Sequence, residues 1–293
     1  KRIFSFWQYV AMWPYLLLKS PRCLFKNTYD VLSELTDDQD LIAVLCGQWG
    51  NMGLPPKQST FIVHAMIVRH YLHGGYYPIG GSWKISESII PKIQATGGDV
   101  FTYARVEQVN VENGKVVGVE MADGHRIECE CVISSAGVGN TFKRLLSADI
   151  ASNAGYKQKL KSVEPSSAYL GVYIGLQSTA EELGLPKTNF WIYPDNDYDG
   201  AVERFSTGEG DQFPVVYISF PSAKDPDYIN RHPGTATIEI VAPAPYQWFE
   251  KWRDEIWGKR SENYDTFKDE LGERLMEHLY EKLPTLRGKV DYY

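Results

Sequence analysis

The stretch from Gly74 to Gly139 constrains the chain more than any other. It opens with four glycines and a proline between Gly74 and Gly81, which cannot be core helix or core strand, because Gly has no side chain to pack and Pro has no N–H to donate. Such a backbone can pass close to something flat. Ile85, Ile89, Ile90 and Ile93 then recur at helical spacing, so a helix is expected over Trp83–Ile93, capped by Ser82 or Gly81 and stopped by Gly97-Gly98. From Gly98 the period falls to two. Val100–Tyr103, Val106–Val111, Val116–Met121 and Arg126–Ile133 read as strands; Asn113-Gly114 and Asp123-Gly124 are hairpin signals, so an antiparallel three-stranded meander is expected. Its continuation Cys131–Ser135 is apolar and meets Ala136-Gly137-Val138-Gly139, the pattern of a buried strand ending where backbone approaches something closely.

The flanks differ in kind. Before Gly74 the pattern is helical: Thr36 with Gln39 forms a capping box ahead of Leu41, Ile42, Val44 and Leu45, and Ser59 or Thr60 can cap a second helix from Phe61 to Tyr71. His64, His70 and His73 are spaced six and three apart across a helix end, which does not put three rings on one face, and no metal site is expected. After a Lys-rich, helix-like linker (156–163), four strands are expected at Tyr169–Leu176, Asn189–Tyr193, Val215–Phe220 and Thr235–Val241, with loops at 194–200, 221–226 and 231–234. The end is helical, with an aromatic patch at Trp248, Phe249, Trp252 and Trp257 and then Tyr264, Phe267, Leu271, Leu275, Leu279 and Leu283 before Pro284.

With 293 residues there is material for about two domains, and 30 basic against 37 acidic residues, a net charge of -7 without a basic block, argues against a nucleic-acid partner. The cysteines Cys23, Cys46, Cys129 and Cys131 form no CxxC and are expected as reduced thiols, the second pair on one face of a strand, in a cytoplasmic setting. No run reaches the roughly 18 apolar residues of a membrane span. Ile3–Leu18 comes nearest; its aromatics suit either a buried helix or an interfacial segment that would give peripheral membrane contact. The chain starts at Lys1 rather than Met and is expected to be a piece of a longer protein.

The run Tyr71–Ser82, the helix behind it, Gly97–Val100 and the hairpin at Gly114–Val119 resemble the phytoene desaturase, carotenoid isomerase and retinol saturase group of FAD-dependent oxidoreductases. Phe220–Pro226, His232–Gly234, Ala244–Phe249 and Lys289–Tyr293 look most like the retinol saturase branch. The resemblance runs from about Leu35 to the end. It implies an α+β fold: the central part of a two-domain flavoprotein, with 1–73 a helical part of the substrate domain, 74–141 a partial FAD-binding domain, and 142–293 the rest of the substrate domain with its sheet and C-terminal helices. The family's N-terminal G-x-G-x-x-G, which holds the FAD pyrophosphate, has no counterpart here, and neither has its C-terminal FAD segment.

Carried over residue by residue, the resemblance implies FAD contacts at Val106, which would offer backbone to the adenine edge, and at Ser135, Ala136 and Gly137, which would run beneath the dinucleotide without room for a larger Cβ. It places Gly80 and Gly81 against the flavin ring or the substrate double bond, as backbone donors. The implied activity is saturation, desaturation or isomerisation of C=C bonds in an apolar polyene, retinoid or fatty acyl substrate, with hydride transfer at flavin N5. Aromatic richness suits such a channel. Tyr76 and Tyr77, beside the glycines, are the candidate proton donors. The alternative is a non-enzymatic prenyl-binding escort protein on the same fold.

Overall fold

The computed structural model describes residues 25–153, 155–161, 168–208, 212–256 and 258–293. The expectations for Ile3–Leu18, Cys23 and Trp257 lie outside the described residues. In chain order the elements are α1 (Thr28–Ser33), α2 (Gln39–Cys46), α3 (Phe61–Tyr71), α4 (Trp83–Gln94), β1 (Val106–Glu112), β2 (Lys115–Met121), β3 (Arg126–Glu128), α5 (Ala148–Asn153), α6 (Tyr156–Leu160), β4 (Ala168–Leu176), β5 (Phe190–Ile192), α7 (Tyr198–Thr207), β6 (Val216–Ser219), α8 (Pro221–Lys224), α9 (Tyr228–Arg231), β7 (Ala236–Ala244), α10 (Glu262–Lys282) and β8 (Val290–Tyr292). The described residues form two compact units, the first within 25–84 and 168–293, the second within 85–161. Helices and antiparallel sheets mix, so the fold is α+β.

The first unit is built on a five-stranded sheet in the order β5-β6-β7-β4-β8, antiparallel at every pair. Strand β7 alternates strictly between buried and half-buried residues along its whole length, the period-two pattern of a sheet with one face on the core. Ile238 and Ile240, with Ile174 and Ile218 of the neighbouring strands, meet Leu271, Leu275 and Leu279 of α10 on the inner face. Pro243 sits inside β7 without breaking it, because β6 pairs only as far as Val241 and leaves that edge of Pro243 without a neighbour to bond. A smaller cluster of Leu32, Ile42, Ala43, Cys46, Trp49, Tyr198 and Val215 joins the N-terminal helices to this body. Tyr193 and Tyr198 donate their hydroxyls to the Gly47 and Ala43 carbonyls, at 2.5 and 3.0 Å.

Cys46 lies at the bottom of that cluster, 1 % exposed. Burial first, and the Asp199 carboxylate second, push its thiol from 9.0 up to about 11. An unfolded chain loses this proton at the lower value while the folded one keeps it, so between pH 9 and about 11 stability should fall as pH rises, by at most about 1.4 kcal/mol per pH unit from this group. Urea unfolding at several pH values measures the slope, and Cys46→Ala should lower it by this group's share, leaving that of the buried Tyr193 and Tyr198 phenols.

The second unit carries a three-stranded meander, β1-β2-β3. Its first turn has Asn113 and Gly114 at φ 49 and 77, the doubly positive geometry of a tight hairpin. Gly118 is required for contact rather than for φ: a Cβ there would lie 2.4 Å from the Ile127 carbonyl on β3. Helix α4 ends in a Schellman arrangement, with Gly97 N–H on the Gln94 carbonyl, Gly98 N–H on that of Ile93, and Gly97 at φ 84.

Several expectations are overturned. Val100–Tyr103 is not a strand: Tyr103 adopts φ 56 and is fully exposed, and a left-handed residue ends extension. Cys131–Ser135 forms no strand; Ile133 is 94 % exposed. Among the described residues no strand lies beside it, and an apolar run becomes a buried strand only where neighbours pair its backbone and cover its faces. Cys129 and Cys131 follow the end of β3 rather than lying on it. The cap of α2 is Asp38, whose Oδ1 accepts from Leu41 N–H at 3.0 Å, while Thr36 Oγ1 accepts from Asp38 N–H. Its buried residues are Ile42, Ala43 and Cys46, with Val44 exposed. The segments 194–200 and 221–226 carry the start of α7 and all of α8, and β8 is a fifth strand beside β4. Residues 25–84 and 168–293 contain no helix long and apolar enough to cross a membrane, nor do the other described residues.

Candidate functional site

The glycine turn is held from 145 residues away. Gly80 N–H donates to Asp225 Oδ1 at 2.9 Å, and Trp83 Nε1–H donates to the Gly80 carbonyl at 2.6 Å. Asp225 also accepts from Asp227 N–H at 3.0 Å and, on Oδ2, from the Arg231 guanidinium, whose Nε reaches Asp227 at 3.1 Å. Its side chain is 2 % exposed. Burial pushes the Asp225 carboxyl up, but the hydrogen bonds from Gly80, Asp227 and Arg231 outweigh it and hold the group below the ordinary carboxylate range. Removing one partner of such a buried charge typically costs about 3–5 kcal/mol.

Gly80 and Gly81 stand at φ 95 and 97, a region that L side chains enter only under strain. Their N–H groups are both committed, that of Gly80 to Asp225 and that of Gly81 to the Pro78 carbonyl at 3.0 Å. The expected role of these amides as donors to a bound ring is therefore not what the turn presents here; what it presents is bare backbone. The two tyrosines beside it part company. Tyr76 is 92 % exposed, while Tyr77 is half-buried. Burial, then the Asp225 and Glu239 carboxylates, raise the Tyr77 phenol above its ordinary value, with Arg231 acting the other way.

Glu239 lies on the outer face of the sheet. The register places it between Tyr173 of β4 and Ser219 of β6, and one step along the face places Trp191, Tyr217, Val241 and Gly171 in a row. The Trp191 ring packs over Gly50 so closely that a Cβ there would come within 2.3 Å, and the Tyr173 ring folds back over Gly171. Burial lowers the Lys224 ammonium pKa while Glu239 works against it, and Lys224 Nζ donates to Ser219 Oγ at 2.7 Å and to Asn189 Oδ1. Tyr217 is raised by burial, then by Glu239 and Tyr71 against a hydrogen bond from Ser219. The face is thus aromatic with a few charged groups, the composition of a site for an apolar ligand with one polar handle. Asp225, Arg231, Glu239 and Lys224 were missed from sequence. Phe220–Pro226 was noticed as a motif, but nothing local to it points to Gly80.

In the second unit, Val106 and Ala136 line one cleft of about 790 Å³ with Arg105, Asn140 and Arg144. Asn140 Nδ2 donates to the Ala136 carbonyl at 2.9 Å, and Thr141 Oγ1 to that of Gly137 at 2.8 Å. Ser135 and Gly137 flank Ala136 and are exposed. Gly137 has φ 88, with open space where a Cβ would stand, so glycine is required there by conformation and not by a collision. Glu107 lines the same cleft and its carboxylate pairs with the Arg105 guanidinium at 3.2 Å, so the cleft carries charges of both signs. Among the described residues no cluster of three or more His, Cys, Asp or Glu is placed to hold a metal ion. His64 is a packed residue whose burial lowers its pKa.

No family model matches the chain. It is 40 % identical over 270 residues to the all-trans-retinol 13,14-reductase of Homo sapiens, covering 89 % of this chain and 44 % of that protein. It is 25 % identical over 272 residues to the chloroplastic prolycopene isomerase of Daucus carota, covering 90 % of this chain and 40 % of that protein. The chain thus spans less than half the length of these curated relatives. A crystal structure of an oxidoreductase from Methanosarcina mazei shares the fold, with a TM-score of 0.54 at 19 % identity over 88 % of this chain and 59 % of that one. Over the segment it spans, the chain belongs to the family of the retinol saturases, carotenoid isomerases and phytoene desaturases.

Proposed function

We propose that this chain is the central part of an FAD-dependent oxidoreductase that saturates, desaturates or isomerises C=C bonds of an apolar polyene, retinoid or fatty acyl substrate. The observation that carries the reading is the 40 % identity to a retinol 13,14-reductase across 270 residues. Bound FAD would supply or accept the hydride at N5. Val106, Ser135, Ala136 and Gly137 would hold the dinucleotide, and Gly80 and Gly81 would offer close backbone to the ring or the double bond. The outer sheet face, with Trp191, Tyr217 and Tyr173, would receive the apolar chain. Tyr77 keeps a proton on Oη, where burial and two carboxylates oppose its loss, and would deliver it to the carbon left after hydride transfer. The protein would then be cytoplasmic, or peripheral on a membrane that stores such substrates.

The test is made on the full-length protein. Purified, it should carry a flavin spectrum and, under reducing conditions, convert all-trans-retinol or a carotenoid to a product of altered saturation or double-bond geometry. A colourless protein that takes up no added FAD and leaves every polyene unchanged would sink the enzyme reading; if it still retained a polyene through gel filtration, the escort alternative would stand in its place.

A further inference from the structure

We propose that Asp225, locked by Arg231, is the positioning residue of the glycine turn. The inference rests on the functional reading above only for its kinetic part. Asp225 is the last residue before Pro226 and follows α8, which hangs directly from the end of β6. Its carboxylate is therefore fixed to the central strands of the sheet. Its three donors come from three places: the turn itself, the backbone of Asp227, and the side chain of Arg231 on α9. Arg231 is held in turn by Asp227 at 3.1 Å, so the carboxylate cannot rotate away without leaving a guanidinium half-paired. On the other side of the turn, the Trp83 indole takes the Gly80 carbonyl. The Gly80 residue is thus gripped at both N–H and C=O.

A turn rich in glycine has no side-chain packing to order it, and its entropy is high. A buried, charge-assisted acceptor on the sheet is what converts it into a fixed element. Tyr77 lies three residues before Gly80, within electrostatic reach of both Asp225 and Glu239. The latch thus fixes the backbone of the segment that carries Tyr77.

The experiment compares Asp225→Asn and Asp225→Ala in the full-length protein. By amide hydrogen exchange, Asp225→Ala should speed exchange at residues 76–84 about tenfold or more, leaving β7 and α10 protected. Asp225→Asn keeps an acceptor oxygen and should restore part of that protection; it decides the matter alone if the alanine variant does not fold. In turnover, kcat should fall with KM little changed, because the latch places the proton donor rather than the substrate. Exchange that rises equally through β7 and α10, or does not rise in the turn, overturns the proposal. So does a kcat loss in Asp225→Asn matched by an equal rise in KM. Wild-type protein that turns over no polyene would instead defeat the functional reading, while the exchange comparison still decides the latch.

Discussion

Replacing Tyr77 with phenylalanine in the full-length protein is expected to lower kcat for saturation of a polyene by about 10²–10⁴-fold, the range of a positioned proton transfer, with KM nearly unchanged. The substitution keeps the ring and its packing and removes only the hydroxyl. Tyr77 is preferred to Tyr76 for a physical reason: a proton donor must keep its proton until the transition state and hold a fixed position. Tyr76 is 92 % exposed. Tyr77 is half-buried beside two carboxylates, whose negative charge opposes formation of a phenolate. Stopped-flow measurement of flavin reoxidation in the presence of polyene, in light and heavy water, separates this step from substrate binding. A Tyr77→Phe enzyme with wild-type kcat and an undiminished solvent isotope effect would assign the proton to another group.

The second large effect is expected in the core of the first unit. Leu279 is fully buried on α10, in one cluster with Ile218, Ile238 and Ile240 of the sheet. Leu279→Ala should destabilise the unit by about 2–5 kcal/mol, from lost transfer energy and the cavity left behind. Urea unfolding followed by circular dichroism gives the value. Tyr173→Ala, on the outer face at 68 % exposure, removes a larger side chain and should cost far less, because little of its surface leaves water on folding. A Leu279→Ala cost below about 1 kcal/mol would mean that α10 does not seal the sheet as this packing requires.

These two predictions draw on different parts of what was legible. The spacing of Leu271, Leu275 and Leu279 announces α10 and its buried stripe before any coordinate is known, and the alternation from Ala236 onward announces β7. Asn113-Gly114 and Asp123-Gly124 announce their hairpins. In each case the deciding interactions lie within about four residues or in a strict two-residue period, so the pattern is written where the structure forms. The local signals misled where more than one reading satisfied them. Thr36 has the capping-box spacing to Gln39, yet Asp38 caps α2, with an extended backbone that brings its oxygen to the Leu41 amide. Cys131–Ser135 has the composition of a core strand, yet no strand among the described residues lies beside it to pair.

The glycines from Gly74 to Gly81 determined by themselves that a turn of bare backbone stands there, because the positive φ values of Gly80 and Gly81 are open to few other residues. What held that turn was decided by the tertiary structure. Asp225 is one of many carboxylates in an acidic chain, and nothing in its neighbourhood marks it as the acceptor for an amide 145 residues earlier. Only the path of the sheet, with β6 beside β7 and Asp225 just past the end of α8, brings the buried carboxylate, the guanidinium and the turn together. The same holds for the face shared by Trp191, Tyr217, Glu239 and Tyr173, which come from four strands. Their neighbourhood follows from strand order and register, and these are set by the packing of the whole inner face rather than by any one segment.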